Sequence, residues 1–211
     1  MHVEKEGVAR ETSPQLEYPL KGSSVRIPYK IHVNVILVEE QLMDVEKPSV
    51  VEGYRKRLET ALNYGEVWDI VRDTVEFALN KRRRGMMLFL DDLPIQLGAY
   101  HPVGTNNIVL NRVLVQIVEA SVDSKRVVNA LIYNLLVHEY LHALGELSEI
   151  AVRNSVVEVS RKCFGEDYIA TQVAVKSPWS LLRGIPLEGV NVPKRFMEIV
   201  KDFEKTDRYV V

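Results

Sequence analysis

The chain has one cysteine, Cys163. That excludes an internal disulfide framework and any cysteine-based zinc ribbon. It also lacks an apolar run near the ~18 residues needed to cross a bilayer: the best stretches, Ile31 to Val38 and Val127 to Val137, are broken by His32, Asn34, Asn129 and Asn134. No charge of one sign prevails. Lysine plus arginine number 27 against 29 aspartate plus glutamate, a net charge of -2, which gives no general electrostatic reason to bind nucleic acid or anionic lipid. Met1 to Lys21 contains no apolar core of the secretory type, so a cytoplasmic protein without membrane association is expected. What is present, 46% hydrophobic and 27% charged residues in a length of 211, suits a globular chain able to bury a sizeable core.

Residues 1–29 carry Thr12-Ser13-Pro14, Pro19, Gly22-Ser23-Ser24 and Pro28 without sustained periodicity, which predicts an extended or partly ordered arm. A single domain over 30–211 is expected to follow. Lys30 to Val38 alternates like a strand. A helix is expected from Val50 until Gly65, and another from Glu66 to Gly85 behind Lys81-Arg82-Arg83-Arg84, a quartet read as the solvated last turn of a helix. Met86 to Leu90 predicts a buried strand. Asn107 to Asn111 predicts an edge strand and Asn111 to Ala120 a helical turn or two. The longest helix is expected over Lys125 to Leu144, with Ser124 as N-cap and Gly145 at the left-handed C-terminal position. A further helix is expected from about Leu147 to Phe164. Pro178, Gly184, Pro186, Gly189 and Pro193 mark an irregular segment, and a short amphipathic helix is expected around Arg195 to Phe203. The order implies an α+β fold.

The chemistry resides in His138-Glu139-Tyr140-Leu141-His142, an H-E-x-x-H motif. Composition alone predicts about 0.01 such matches in a chain of this make-up. Residues four apart share a helix face, so both imidazoles can grip one Zn²⁺. Glu139, ~100° round the axis, is too far to be a third ligand from that helix but near enough to hydrogen-bond a water beside the ion. Tyr133, Tyr140 and Tyr168 are candidates for supporting a developing oxyanion, and His101 for the wall of a substrate cleft.

At His138 to Gly145 the sequence resembles the zincin metallopeptidases, in particular the H-E-x-x-H-x-x-G opening of metzincins and of small, minimal bacterial and archaeal zincins. The likeness covers about Asn106 to Glu149. It implies a zincin-like fold, with a small mixed sheet whose edge strand packs near the helix bearing the motif. It also implies a zinc-dependent peptidase acting on peptide or protein, with Glu139 as general base and Asn107 to Asn111 as the strand that pairs with substrate. The family's third ligand lies three residues past the glycine, where this chain has Ser148. Glu149, one residue on, is the expected third ligand beside His138 and His142; Glu146, His101 and Glu158 are the rivals. The alternative reading is a zincin-like protein whose metal site is structural or vestigial, acting as a binding or regulatory module.

Overall fold

The computed structural model describes residues 50–185 and 194–204. The expected arm, its boundary at residue 30 and the strand Lys30 to Val38 lie outside them. Residues 50–60 form helix α1, and Tyr64–Leu79 form α2. The break falls earlier than Gly65, because Asn63 caps α2: its Oδ1 accepts from the Glu66 N–H at 2.9 Å while the Glu66 carboxylate accepts from the Leu62 N–H at 2.8 Å. This reciprocal cap satisfies donors that the first turn leaves free. Gly65 therefore lies inside the first turn, where a Cβ would stand 2.8 Å from the Asp202 carbonyl oxygen. It permits close contact and does not stop a helix.

Helix α2 ends at Leu79, with Asn80 in the left-handed region at φ 52. The basic quartet thus follows the helix and is not its last turn. Arg82 pairs with Glu76, and Arg83 is turned inward. Tyr140 Oη accepts from the Arg83 N–H at 2.6 Å, and the Arg83 guanidinium donates to the carbonyls of Ala143 and Thr105 and to Asn106 Oδ1.

Three strands follow: β1 (Met87–Asp91), β2 (Ala99–Tyr100) and β3 (Asn107–Asn111). Next come α3 (Arg112–Ser121), α4 (Lys125–Ala143), α5 (Glu149–Phe164), α6 (Ile169–Lys176), a 3-10 turn (Pro178–Leu182) and β4 (Glu198–Ile199). The fold is mixed α+β around a four-stranded sheet of order β2-β3-β1-β4. β1 runs parallel to β3, while β2 and β4 are antiparallel to their neighbours.

Two expectations fail here. Asn107–Asn111 is a strand but not an edge: it pairs with β1 along its length and with Ala99 and Tyr100 at Leu110 and Val109. The outer strand on that side is β2, whose other edge pairs with no strand among the described residues. Arg195 to Phe203 is not a helix. Its apolar residues are helically spaced, yet Asp92 accepts from the Arg195 backbone N–H at 2.8 Å and from its guanidinium, and Arg112 donates to the Phe196 carbonyl. These bonds hold the segment extended, where Leu90 and Phe89 pair with Glu198 and Ile199. Between Gly165 and the segment marked by Pro178, where no element was expected, the chain forms α6.

Helix α4 runs through the core, buried on almost every face from Val128 to Ala143. Such a helix must satisfy its polar groups internally. Asn129 Nδ2 donates to the Leu58 and Ala61 carbonyls near the end of α1, and Tyr133 Oη lies 3.0 Å from Thr74 Oγ1 on α2. Edge-to-face pairs of Trp68 with Tyr140 and Tyr133 with Phe164, at 4.8 and 5.0 Å, tie α4 to α2 and α5, each contributing ~0.5–1.5 kcal/mol beyond its buried area. These contacts fix the rotation of α4 and so the direction of its histidines. Among the described residues no helix is long and apolar enough to cross a membrane.

Candidate metal centre

The helix carrying the motif ends in a turn that decides what stands next to it. Gly145, at φ +100, donates to the His142 carbonyl at 2.9 Å, and the Glu146 N–H donates to the Leu141 carbonyl at 3.2 Å. This is the Schellman pair of bonds, which needs a left-handed residue where glycine stands. The turn swings the Glu146 carbonyl back onto the helix, where it accepts from His142 Nδ1 at 2.7 Å. With Nδ1 carrying the proton, the neutral His142 ring presents a bare Nε2.

Ser148 then starts a new helix. Its Oγ accepts from the Ala151 N–H at 3.3 Å, and its own N–H donates to Glu146 Oε1 at 3.0 Å. The residue at the metzincin ligand position is thus the N-cap of α5, and Glu149 becomes the first residue of that helix, where a carboxylate is favoured by the dipole. The turn points Glu149 at both imidazoles. Glu149 Oε2 lies 3.3 Å from His138 Nε2, Glu149 Oε1 lies 3.2 Å from His142 Nε2, and the two Nε2 atoms are 3.3 Å apart.

These separations can be tested against a metal ion. Nitrogen and oxygen donors at ~2.0–2.1 Å from a tetrahedral centre stand ~3.3–3.4 Å from one another, and the three distances here are 3.3, 3.2 and 3.3 Å. Two imidazoles and one carboxylate are also a donor set that divalent transition metals accept. His138, His142 and Glu149 could therefore hold a metal ion.

The rivals named from sequence stand elsewhere. The Glu146 carboxylate is engaged with the Ser148 N–H. Glu158 lines a separate surface hollow on α5. His101 Nδ1 donates to the Asn107 carbonyl at 2.8 Å and does not line the cleft described below. The three candidate tyrosines lie outside it as well: Tyr133 faces Thr74, Tyr140 bonds the Arg83 backbone, and Tyr168 Oη donates to the Arg55 carbonyl.

Glu139 is 7% exposed. Burial is the main reason its carboxyl is pushed up to about 7; Glu149 adds to the rise, while His142 and a backbone hydrogen bond from His101 oppose it. The His138 imidazole is shifted down, chiefly by burial, with His142 and Arg153 acting in the same sense and Glu149 against them.

His138, Glu139 and Glu149 open onto a cleft of about 660 Å³, within the ~300–1,000 Å³ usual for ligand sites. One wall is the segment Gln96 to Ala99, which leads into and begins β2. Asn111 holds this wall in place. Its backbone N–H donates to the Gly98 carbonyl, its Nδ2 donates to the carbonyls of Leu93, Pro94 and Leu97, and its Oδ1 caps α3. Gly98 lets this wall pack closely, because a Cβ would come within 2.6 Å of the Leu135 side chain and 3.1 Å of Trp179 and would have to displace them.

The opposite wall, Arg153, Val175, Lys176 and Trp179, was not singled out from sequence. Arg153 could have been, being four residues past Glu149 on one helix; Asn134 likewise precedes His138 by four and lines the same cleft. Nothing local marks Lys176 or Trp179. Compared with protein-family models, with curated proteins and with solved structures, the chain finds no match.

Proposed function

We propose that the chain is a zinc-dependent peptidase in which His138, His142 and Glu149 hold the ion and Glu139 is the general base. The observation that carries this reading is the convergence of the three donors, from two helices, at separations that fit one tetrahedral ion, on the rim of a cleft that also contains Glu139. Two histidines and one glutamate leave a fourth position open, the pattern of catalytic and not structural zinc.

When bound, zinc supplies Lewis-acid chemistry that activates water and polarises a carbonyl oxygen. The rest is done by side chains. The Glu139 carboxylate takes a proton from the attacking water and hands it to the departing amide nitrogen. The Glu146 carbonyl keeps the His142 ring oriented with Nε2 outward. The substrate backbone lies beside Ala99, the cleft residue of β2, whose outer edge pairs with no strand among the described residues, in the manner of an added strand. This moves the pairing role from Asn107–Asn111, whose two sides are both occupied at Val109 and Leu110, to its neighbour.

Metal analysis of the purified full chain, paired with a general peptidase assay, tests the reading. One zinc per chain, lost in His138→Ala, together with chelator-sensitive cleavage of an unstructured protein is expected. Stoichiometric zinc with no cleavage of any peptide would replace this reading with that of a metal-stabilised binding module.

A further inference from the structure

Two cations of the cleft have no part in the reaction just described. Arg153 and Lys176 both line it and are both exposed, and among the described residues neither makes an ion pair. The same lining carries the apolar side chains of Leu97, Leu135, Val157 and Trp179 among its polar ones. Of the two carboxylates in the cleft, Glu149 faces both histidines and Glu139 receives the His101 backbone hydrogen bond. The wall formed by α5 and the end of α6 therefore offers positive charge beside apolar side chains. Asn134, also in the lining, donates its Nδ2 protons to the Ala130 and Ala170 carbonyls, which fixes the amide, while its buried Oδ1 has no partner among the described residues.

We propose that the cleft is a subsite for an anionic peptide, in which Arg153 and Lys176 bind a carboxylate adjoining an apolar residue that rests against Leu97, Leu135 and Trp179. This rests on the peptidase reading and names its substrate class. A guanidinium takes a carboxylate through paired N–H donors and an ammonium takes it as a point charge. The carboxylate is either the substrate's terminal group or an acidic side chain following the apolar residue. Both present the same chemistry to the wall.

An exposed ion pair contributes up to about five-fold in affinity, so two on one wall give up to about 25-fold, which salt reduces to about ten-fold. The test uses the zinc-loaded full chain carrying Glu139→Gln, which holds peptides without cleaving them. Three N-acetylated peptides are titrated by calorimetry: one ending in leucine as the free acid, the same peptide amidated, and an amidated peptide with glutamate after the leucine. The free acid or the glutamate peptide should bind ~10-fold more tightly than the plain amide, and whichever does so identifies the source of the carboxylate. The preference should fall towards unity in Arg153→Gln/Lys176→Gln and shrink between about 0.05 and 0.5 M salt. Equal affinity for all three peptides, no binding of any, or a preference untouched by the double substitution would overturn the inference. A preference that persists while the wild-type chain cleaves none of the three would instead overturn the peptidase reading and leave the subsite standing.

Discussion

Replacing Gly145 by alanine separates the turn after α4 from the side chains it positions. Gly145 has φ +100 with nothing within 4 Å of the place a Cβ would take, so the substitution brings no clash and its cost is conformational. For an L-residue in the left-handed region that cost is about 1–2 kcal/mol. A domain of this size loses ~2–4 °C of Tm per kcal/mol, giving ~2–8 °C for the metal-free protein. The chain can keep its φ at full cost, or relax and recover part of it. Relaxation moves the Glu146 carbonyl off His142 Nδ1, now at 2.7 Å, and shifts the start of α5 with Glu149. Losing such an orienting partner weakens metal affinity by ~10–100-fold. A small loss of Tm should thus accompany a large loss of affinity, and the reverse. Gly184→Ala is the comparison, because its φ of +81 and open surroundings match while it lies outside the cleft lining. It should lower Tm alone. Thermal denaturation of metal-free protein and zinc titration against a chromophoric chelator read both quantities. A Gly145→Ala protein within ~1 °C of wild type and undiminished in zinc affinity would refute the role given to the turn.

Glu139→Gln should retain zinc and lower kcat by ~10²–10⁴-fold; simultaneous loss of zinc would make Glu139 a ligand or a structural group. Glu149→Ala should weaken zinc binding by at least ~10-fold and Glu146→Ala by less, because the Glu146 carboxylate bonds the Ser148 N–H and stands away from the imidazoles; competition titrations giving the opposite order would reject Glu149 as third ligand. Asp92 is buried against Arg112 and Arg195, and its hydrogen bond to Arg112 comes first among the causes that hold its carboxyl well below the usual range. A depressed carboxyl stabilises the fold fully above about pH 4 and loses that contribution as pH falls further. Asp92→Ala should therefore cost ~3 kcal/mol near neutrality, by leaving Arg112 without its principal partner, and should flatten the acid limb of the stability profile below about pH 4; equal acid slopes in urea denaturation would contradict this.

Local signals made the central helix and its ending legible. The i, i+4 histidines and a glycine one turn on act within eight residues, and the turn chemistry that brings Glu149 round is of similar range, although the capping role of Ser148 became visible only in the structure. The cleft walls were not legible, because they depend on contacts distant in sequence. β2 is two residues, Ala99 and Tyr100, with no pattern of their own, and it becomes a strand because Asn111 gathers the carbonyls of the loop before it. The same distance effect misassigned residues 195–203: helical spacing is visible in sequence, whereas Asp92, which draws Arg195 to the sheet, is 103 positions away. Arg83 looked like one of four solvated cations and instead joins the end of α4 to the connection before β3.

The turn from Leu144 to Ser148 also acts as a ruler. Each residue added to or removed from it would rotate and shift the start of α5, and a helix advances 100° per residue, so a single insertion would turn the Glu149 side chain away from the imidazoles. The centre consequently tolerates changes of residue along this stretch better than changes of length. It also follows that a pattern demanding the third ligand six residues beyond the second histidine passes over this chain, because here the cap occupies that position and the carboxylate comes at the seventh. The three candidate donors belong to two helices joined by this short link, so an ion held between them would clasp α4 to α5. Removing it should release the first turn of α5 before any other part of that helix.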